Sequence, residues 1–237
     1  MSRFVCLLLG FAAPASSALV AQRAAYTAGW GDVATFGGAG LLAALPAELR
    51  LPHGPPPCAP CDPAGLWGID RWAVHPEDPH ASRASDVLLV GVAGSAGLAS
   101  VLGMPADRAR GNAVVYLDAV SLTGAATGWL KVLVHRSRPV LYTADAAAAA
   151  GNHESRLSFP SGHTSYAFAA AMSYAVLARR QQLPHATRNS VLLLIGAAGV
   201  GALRVAAHQH FPTDVVAGAA LGGGIGWLVA TLHPTTR

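Results

Sequence analysis

Between residues 85 and 232 the chain is a series of apolar runs, at about 86–103, 112–134, 161–177, 190–207 and 213–232, each rich in Ala, Gly, Leu and Val. A long helix with so few charges has to be buried in a protein core or in lipid. Roughly 20 such residues are what the hydrocarbon core of a bilayer requires. Of the 237 residues 52% are apolar and only 12% are charged, about half the charged fraction of a soluble domain. The runs predict an all-α, polytopic membrane helical bundle with five or six transmembrane helices.

The few charges are placed in a pattern. Asp107, Arg108 and Arg110 separate the first two runs, and Arg179, Arg180 and Arg188 separate the third and fourth, so arginine-rich connections alternate with poor ones. By the positive-inside rule the arginine-rich connections are cytoplasmic, and 51–84, 135–160 and 208–212 lie on the other side. A net charge of +4 and a pI near 9.3 invite a nucleic-acid partner. The basic residues form no stripe and no nucleic-acid module is visible, which excludes that class.

The first 84 residues are less regular. Residues 1–21 carry Arg3, an apolar stretch at 4–13 and small residues at Ser16 and Ala18, which suit either a signal peptide or an uncleaved first membrane span. Both readings send residues 22–84 outward. Within that segment 33–47 is short, apolar and glycine-containing, and it fits an interfacial helix, a helix packed outside the membrane or a tilted span. Residues 51–84 are proline-rich and read as an irregular loop with one short helix around 67–72. This loop holds Cys58 and Cys61; the third cysteine is Cys6. The pair fits a local disulfide or two free thiols best, with half a zinc site and a redox motif as the other readings. The alanine run at 144–150 reads as a spacer or short helix.

Unusual residues then fall at the outward ends of the runs. Lys131 and Arg138-Pro139 follow the second. Pro160-Ser161-Gly162-His163-Thr164 opens the third, where Pro160 presets the first helical turn, Ser161 and Thr164 are capping side chains, and Gly162 lets backbone N–H groups approach an anion. Arg204, His210 and Asp214 bracket the turn between the fourth and fifth. Any one of these alone reads as a membrane anchor or an ordinary cap. Together their chemistry is coherent. Lys131, Arg138 and Arg204 supply charge and forked donors for phosphoryl oxygens. His210 has a carboxylate, Asp214, four residues on to orient it as a nucleophile, and His163 is left to protonate a leaving oxygen.

The spacing Lys131-x6-Arg138-Pro139, then Pro160-Ser161-Gly162-His163, then Arg204-x5-His210-x3-Asp214 resembles the three-part signature of the type 2 phosphatidic acid phosphatases and vanadium-dependent haloperoxidases, the PAP2 superfamily. The motifs span 131–214, and the helix pattern extends the likeness to most of 85–232, which is identified as a PAP2-like membrane phosphatase domain. One position departs from the pattern: Leu203 stands where the family usually has serine before the third-motif arginine.

The resemblance implies an all-helical core, no metal and no cofactor. It implies a phosphohistidine on His210 oriented by Asp214, His163 as the acid, and phosphate binding by Lys131, Arg138, Arg204, Ser161 and the Gly162 backbone. His208 breaks the motif spacing and has no carboxylate four residues on. His135 and His153 fall in the outer loop. The function implied is hydrolysis of a lipid phosphate or diphosphate at the periplasmic face of a bacterial inner membrane. Its partners would be that lipid and the membrane, with no obligatory protein partner evident. The alternatives are a vanadate-holding haloperoxidase, against which the apolar spans argue, and a non-catalytic lipid-phosphate-binding member. The sequence does not choose among phosphatidate, phosphatidylglycerophosphate, undecaprenyl diphosphate and lipid A phosphates.

Overall fold

The structure, a computed structural model, describes residues 25–235; the expectations for residues 1–21 and Cys6 lie outside them. Among the described residues the fold is all-helical, with long helices α1 (Trp30–Glu48), α2 (Pro79–Val101), α3 (Ala106–Val134), α4 (Gly162–Arg180), α5 (Ala186–Ala206) and α6 (Pro212–Leu232). The stretches Pro79–Val101, Ala106–Tyr142, Ala186–Ala206 and Pro212–Leu232 are each long and apolar enough to cross a membrane. Their large apolar side chains, among them Val87, Leu98, Leu133, Leu192, Ile195, Val216 and Leu228, point outward. That is the arrangement expected when the solvent is lipid. The chain is a multi-pass membrane protein.

Helix α4 is the most enclosed of the six and the least apolar. It packs against α2, α3, α5 and α6 and buries Thr164, Ser165, Ser173 and Tyr174 beside its alanines. Its hydroxyls turn inward, where Ser165 Oγ, for example, donates to the Ser161 carbonyl at 2.9 Å. The closest neighbour is α6, and the reason is legible in its glycines. A Cβ at Gly218 would sit 2.6 Å from the Ser161 carbonyl oxygen and one at Gly226 2.6 Å from that of Ala169; one at Gly222 would run into the Ser165 carbonyl. Small residues at a spacing of four let two membrane helices touch backbone to backbone. Across the other face of α4, Ala167, Ala170, Ala171 and Tyr174 meet Val92 and Ala96 of α2 and Leu193, Ala197 and Val200 of α5.

Several ends fall elsewhere than the periodicity alone predicts. Helix α2 begins at Pro79, because the Asp78 carboxylate caps it, accepting from His80 N at 2.8 Å and Ala81 N at 3.3 Å. The apolar segment at 33–47 is part of α1, which packs along α3; Trp129 Nε1 donates to the Leu42 carbonyl at 3.0 Å. The chain before α1 is tied to the last turn of α6 and the chain after it, with Tyr26 Oη donating to the Ala230 carbonyl at 2.8 Å and Thr27 N to that of Pro234 at 3.0 Å. Short helices occupy Gly68–Arg71 and Ala146–Ala149. Cys58 and Cys61 form a disulfide, and Cys61 N donates to the Leu141 carbonyl at 2.7 Å, joining the two outer loops.

Candidate active site

The N-terminal ends of α2, α4 and α6 and the C-terminal ends of α3 and α5 meet at one end of the bundle. That end collects every residue singled out in the sequence. His210, in the turn entering α6, is buried, and its Nδ1 lies 2.7 Å from the Ser158 carbonyl oxygen. A carbonyl only accepts, so Nδ1 carries the proton and Nε2 of the neutral ring carries the lone pair. Burial pushes the imidazole well below its ordinary value near 6.5, with nearby Lys131 and Arg138 pushing the same way against the pull of Asp214. The ring is therefore neutral at neutral pH, the state a nitrogen nucleophile needs.

Asp214 does not touch His210 at hydrogen-bond distance; Oδ2 stands 3.7 Å from Nδ1. It reaches the imidazole through Ser158, whose hydroxyl donates to Asp214 Oδ2 at 2.5 Å while its carbonyl holds the ring. The same carboxylate caps α6 by accepting from Phe211 N at 2.9 Å, and pairs with Arg136 at 2.5 Å. Arg136 also pairs with the buried Asp70 at 2.8 Å and lies 4.4 Å over the Phe211 ring. Asp70 in turn accepts from the backbone and hydroxyl of Thr213. Ser158, Arg136 and Asp70 are thus positioning residues that motif spacing did not single out. Arg136 was hidden by Arg138 two residues later, and Asp70 by its place in an irregular loop.

The cations surround this centre. Lys131 Nζ donates to the Leu157 carbonyl. Arg138 bonds Gln209 Oε1 and pairs with Glu154 at 2.8 Å; Arg204 bonds the same Gln209 oxygen at 3.4 Å and the Ser85 hydroxyl at 3.2 Å. Yet Nε of Arg138 and Nε of Arg204 are buried with no hydrogen-bond partner among the described residues. Buried donors are nearly always satisfied, at a cost of about 1–3 kcal/mol each when they are not. Two orphaned guanidinium donors beside one neutral imidazole are therefore a site shaped for an anion.

Helix α4 starts at Gly162, with Pro160 outside it and Ser161 at the N-cap position. Ser161 makes no side-chain cap: its hydroxyl accepts from Thr164 Oγ1 at 3.0 Å, and its N–H goes to the Asp214 carbonyl at 3.0 Å. The capping side chains expected from the sequence thus bond to each other. That leaves the first-turn N–H groups uncapped, as at helix starts that hold phosphate. His163 Nε2 sits 2.7 Å from Asp86 Oδ1, a carboxylate that also stands 3.7 Å from Arg204. An acceptor-only partner keeps a proton on that nitrogen. Asp86 was missed too; its signal was a lone carboxylate opening an apolar run. His208, at a positive φ of 54°, faces away, bonding the Ala73 carbonyl at 3.2 Å and stacking near His75.

A buried neutral imidazole, a second histidine paired with a carboxylate, and unsatisfied cationic donors thus meet at one end of an all-helical membrane bundle. The model of the PAP2 superfamily matches residues 112–237, more than half of the chain, and the protein belongs to that family. A solved structure described as the first transmembrane PAP2 type phosphatidylglycerolphosphate phosphatase from Bacillus subtilis is similar at 22% identity, covering 86% of this chain and 96% of that one with a TM-score of 0.49. No curated protein matches the chain.

Proposed function

We propose that the protein is a membrane phosphatase that hydrolyses a lipid phosphate or diphosphate through a phosphohistidine on His210, without a metal in the reaction. The observation that carries this is the pairing of a neutral, Nδ1-protonated imidazole with two buried guanidinium Nε donors that have no acceptor among the described residues. Phosphoryl oxygens supply those acceptors, and Lys131 and the first-turn N–H groups at Ser161-Gly162 add to them. His210 Nε2 attacks phosphorus, the P–O bond to the lipid breaks, and the departing oxygen takes a proton from His163. Water then attacks the phosphohistidine, giving up its proton to His163, and His210 is released with inorganic phosphate.

The test is a phosphate-release screen in detergent against phosphatidate, phosphatidylglycerophosphate, undecaprenyl diphosphate and lipid A phosphates, followed by rapid quench on the best substrate. His210→Ala abolishes turnover with all of them. His163→Ala slows an alkoxide leaving group by about 10²–10⁴-fold, less on a nitrophenyl ester, and accumulates acid-labile phosphate. Label on His163 or His208 would sink the assignment. The arginine-rich connections support an orientation in which the site faces the periplasm of a bacterial inner membrane. Alkaline phosphatase fused after Pro60 should be active and after Arg179 inactive; the reverse result overturns that orientation.

A further inference from the structure

At the opposite end of the bundle, three residues far apart in sequence bring their ligand-type atoms within 4.8 Å of one another: Asp32 in the first turn of α1, Asp118 within α3, and His233 just after α6. His210 and Asp214 lie at the start of α6 and His233 at its end, about 30 Å away along a helix of this length. The catalytic proposal uses none of the three.

Packing gives Asp32 and His233 a partner each and leaves Asp118 without one among the described residues. The Asp118 side chain is 4% exposed, and its Oδ1 is buried with no hydrogen-bond partner among the described residues. An unpaired carboxylate is among the most costly groups to bury in a membrane helix. Asp32 divides its oxygens: Oδ2 accepts from Gly29 N at 2.7 Å as an α1 cap, and Oδ1 is left facing His233 Nε2 at 3.6 Å. That cap is the kind of outer contact that fixes a ligating carboxylate. The Thr27 carbonyl oxygen, 3.0 Å from the same nitrogen, is a fourth donor. An apolar cavity of about 180 Å³ lined by Asp32, Val33, Phe36, Val114, Leu117 and Asp118 lies beside the cluster.

We propose that Asp32, Asp118 and His233 form a binding site for a first-row divalent cation, of the zinc or manganese class, that fastens α1 and the end of α6 to α3. Two carboxylates with one imidazole match that class, whereas magnesium and calcium favour all-oxygen shells. In a tetrahedral site with bonds near 2.0–2.1 Å the donors stand roughly 3.3 Å apart. The 3.6 Å between Asp32 and His233 is already close to that, and the remaining closure is about an ångström of side-chain rotation. The cation replaces the Nε2 proton, neutralises both carboxylates and gives Asp118 Oδ1 its partner. It links residues before α1, in the middle of the chain and after α6, so its effect is on stability.

The experiment uses the full chain in detergent, free of any histidine tag, stripped with a chelator, dialysed, and titrated with Zn²⁺ or Mn²⁺ alone. Bound metal is measured by elemental analysis, coordination by the visible spectrum of the Co²⁺ form, and thermal unfolding in parallel. One equivalent per chain is expected, with Co²⁺ bands showing nitrogen and oxygen ligation. At a free concentration a hundredfold above Kd, the folded state should gain about a hundredfold. Asp118→Asn and His233→Gln should each lose the equivalent and the metal-dependent rise in Tm while keeping phosphate release; if Asp118→Asn does not fold, His233→Gln carries the comparison. Absence of stoichiometric metal in the wild type, equal binding by the variants, or an Asp118→Asn protein stabilised with no metal response each overturns the proposal, the last by showing that Asp118 is buried as the neutral acid. Loss of catalysis on stripping would count against the catalytic reading; loss of Tm alone supports the cation site.

Discussion

Changing Gly222 to alanine tests whether the α4–α6 contact holds the catalytic end together. The Cβ would run into the Ser165 carbonyl oxygen, a backbone atom of a helix that is itself packed on four others. The looser neighbours at Gly218 and Gly226 already have their hypothetical Cβ atoms at 2.6 Å, against 3.4–4 Å for ordinary van der Waals contact, so α6 would have to move away by an ångström or more. Overpacking of this kind costs about 1–3 kcal/mol. Helix α6 carries Asp214, whose carbonyl accepts the Ser161 N–H at 3.0 Å, so the same shift separates the two sides of the site. A misplacement of about an ångström can lower turnover by about a hundredfold. Gly223 and Gly224, where a Cβ meets nothing within 4 Å, are the internal controls. Alanine there should be neutral or stabilising by up to about 1 kcal/mol. Thermal unfolding in detergent and phosphate release on the three single variants make the comparison. If Gly222→Ala is as stable and as active as Gly223→Ala, close packing at that glycine is not what sets the register.

Ser158→Ala removes the hydroxyl that donates to Asp214 at 2.5 Å and leaves in place the carbonyl that holds His210. A hydrogen bond to a buried charge contributes about 1.5–3 kcal/mol, so kcat should fall by about 10–100-fold with KM little changed; an unaltered kcat would show that Asp214 acts without Ser158. The pH dependence of stability follows from His210, whose folded value is lowered from 6.5 by burial. Below about pH 6.5 the unfolded chain takes up a proton that the folded chain refuses, so stability is lost as pH falls through that range and is level above it. The slope approaches about 1.4 kcal/mol per pH unit. His210→Gln should unfold with a shallower slope between pH 7 and 5, and equal slopes in denaturation curves would refute the buried neutral imidazole.

The site's contents were legible because phosphoryl chemistry imposes residue types at fixed distances from helix ends, and helix ends in a membrane chain can be read from where the apolar runs stop. Lys131, Arg138, Ser161, Gly162, His163, Arg204, His210 and Asp214 all fall in such places, and all converge at one end of the bundle. The partners were not legible, because their signal is three-dimensional. Asp70, in the loop region, and Arg136, beside α3, meet only through the folding of α6 against both. Asp86 lies within α2, far in sequence from His163. Gln209 stands between two histidines in the sequence, and only the fold brings its oxygen between two arginines. Helix α4 shows the reverse case. Its low charge read as a membrane span, but its two serines, one threonine and two tyrosines are there because protein surrounds it on nearly every side.

That enclosure accounts for the division of labour between the two ends of the protein. A buried helix whose first turn is uncapped concentrates unsatisfied N–H donors at a fixed point. The glycine seam of α6 then fixes where His210 stands relative to that point, leaving little freedom for either to adjust. The opposite end has no such seam at α1, which meets α3 with large apolar residues exposed on its outer side and faces the chain after α6 through Asp32 and His233 at 3.6 Å. An end held so lightly, with an unpaired buried carboxylate beneath it, is where an added ligand has the most effect on the fold and the least on the chemistry.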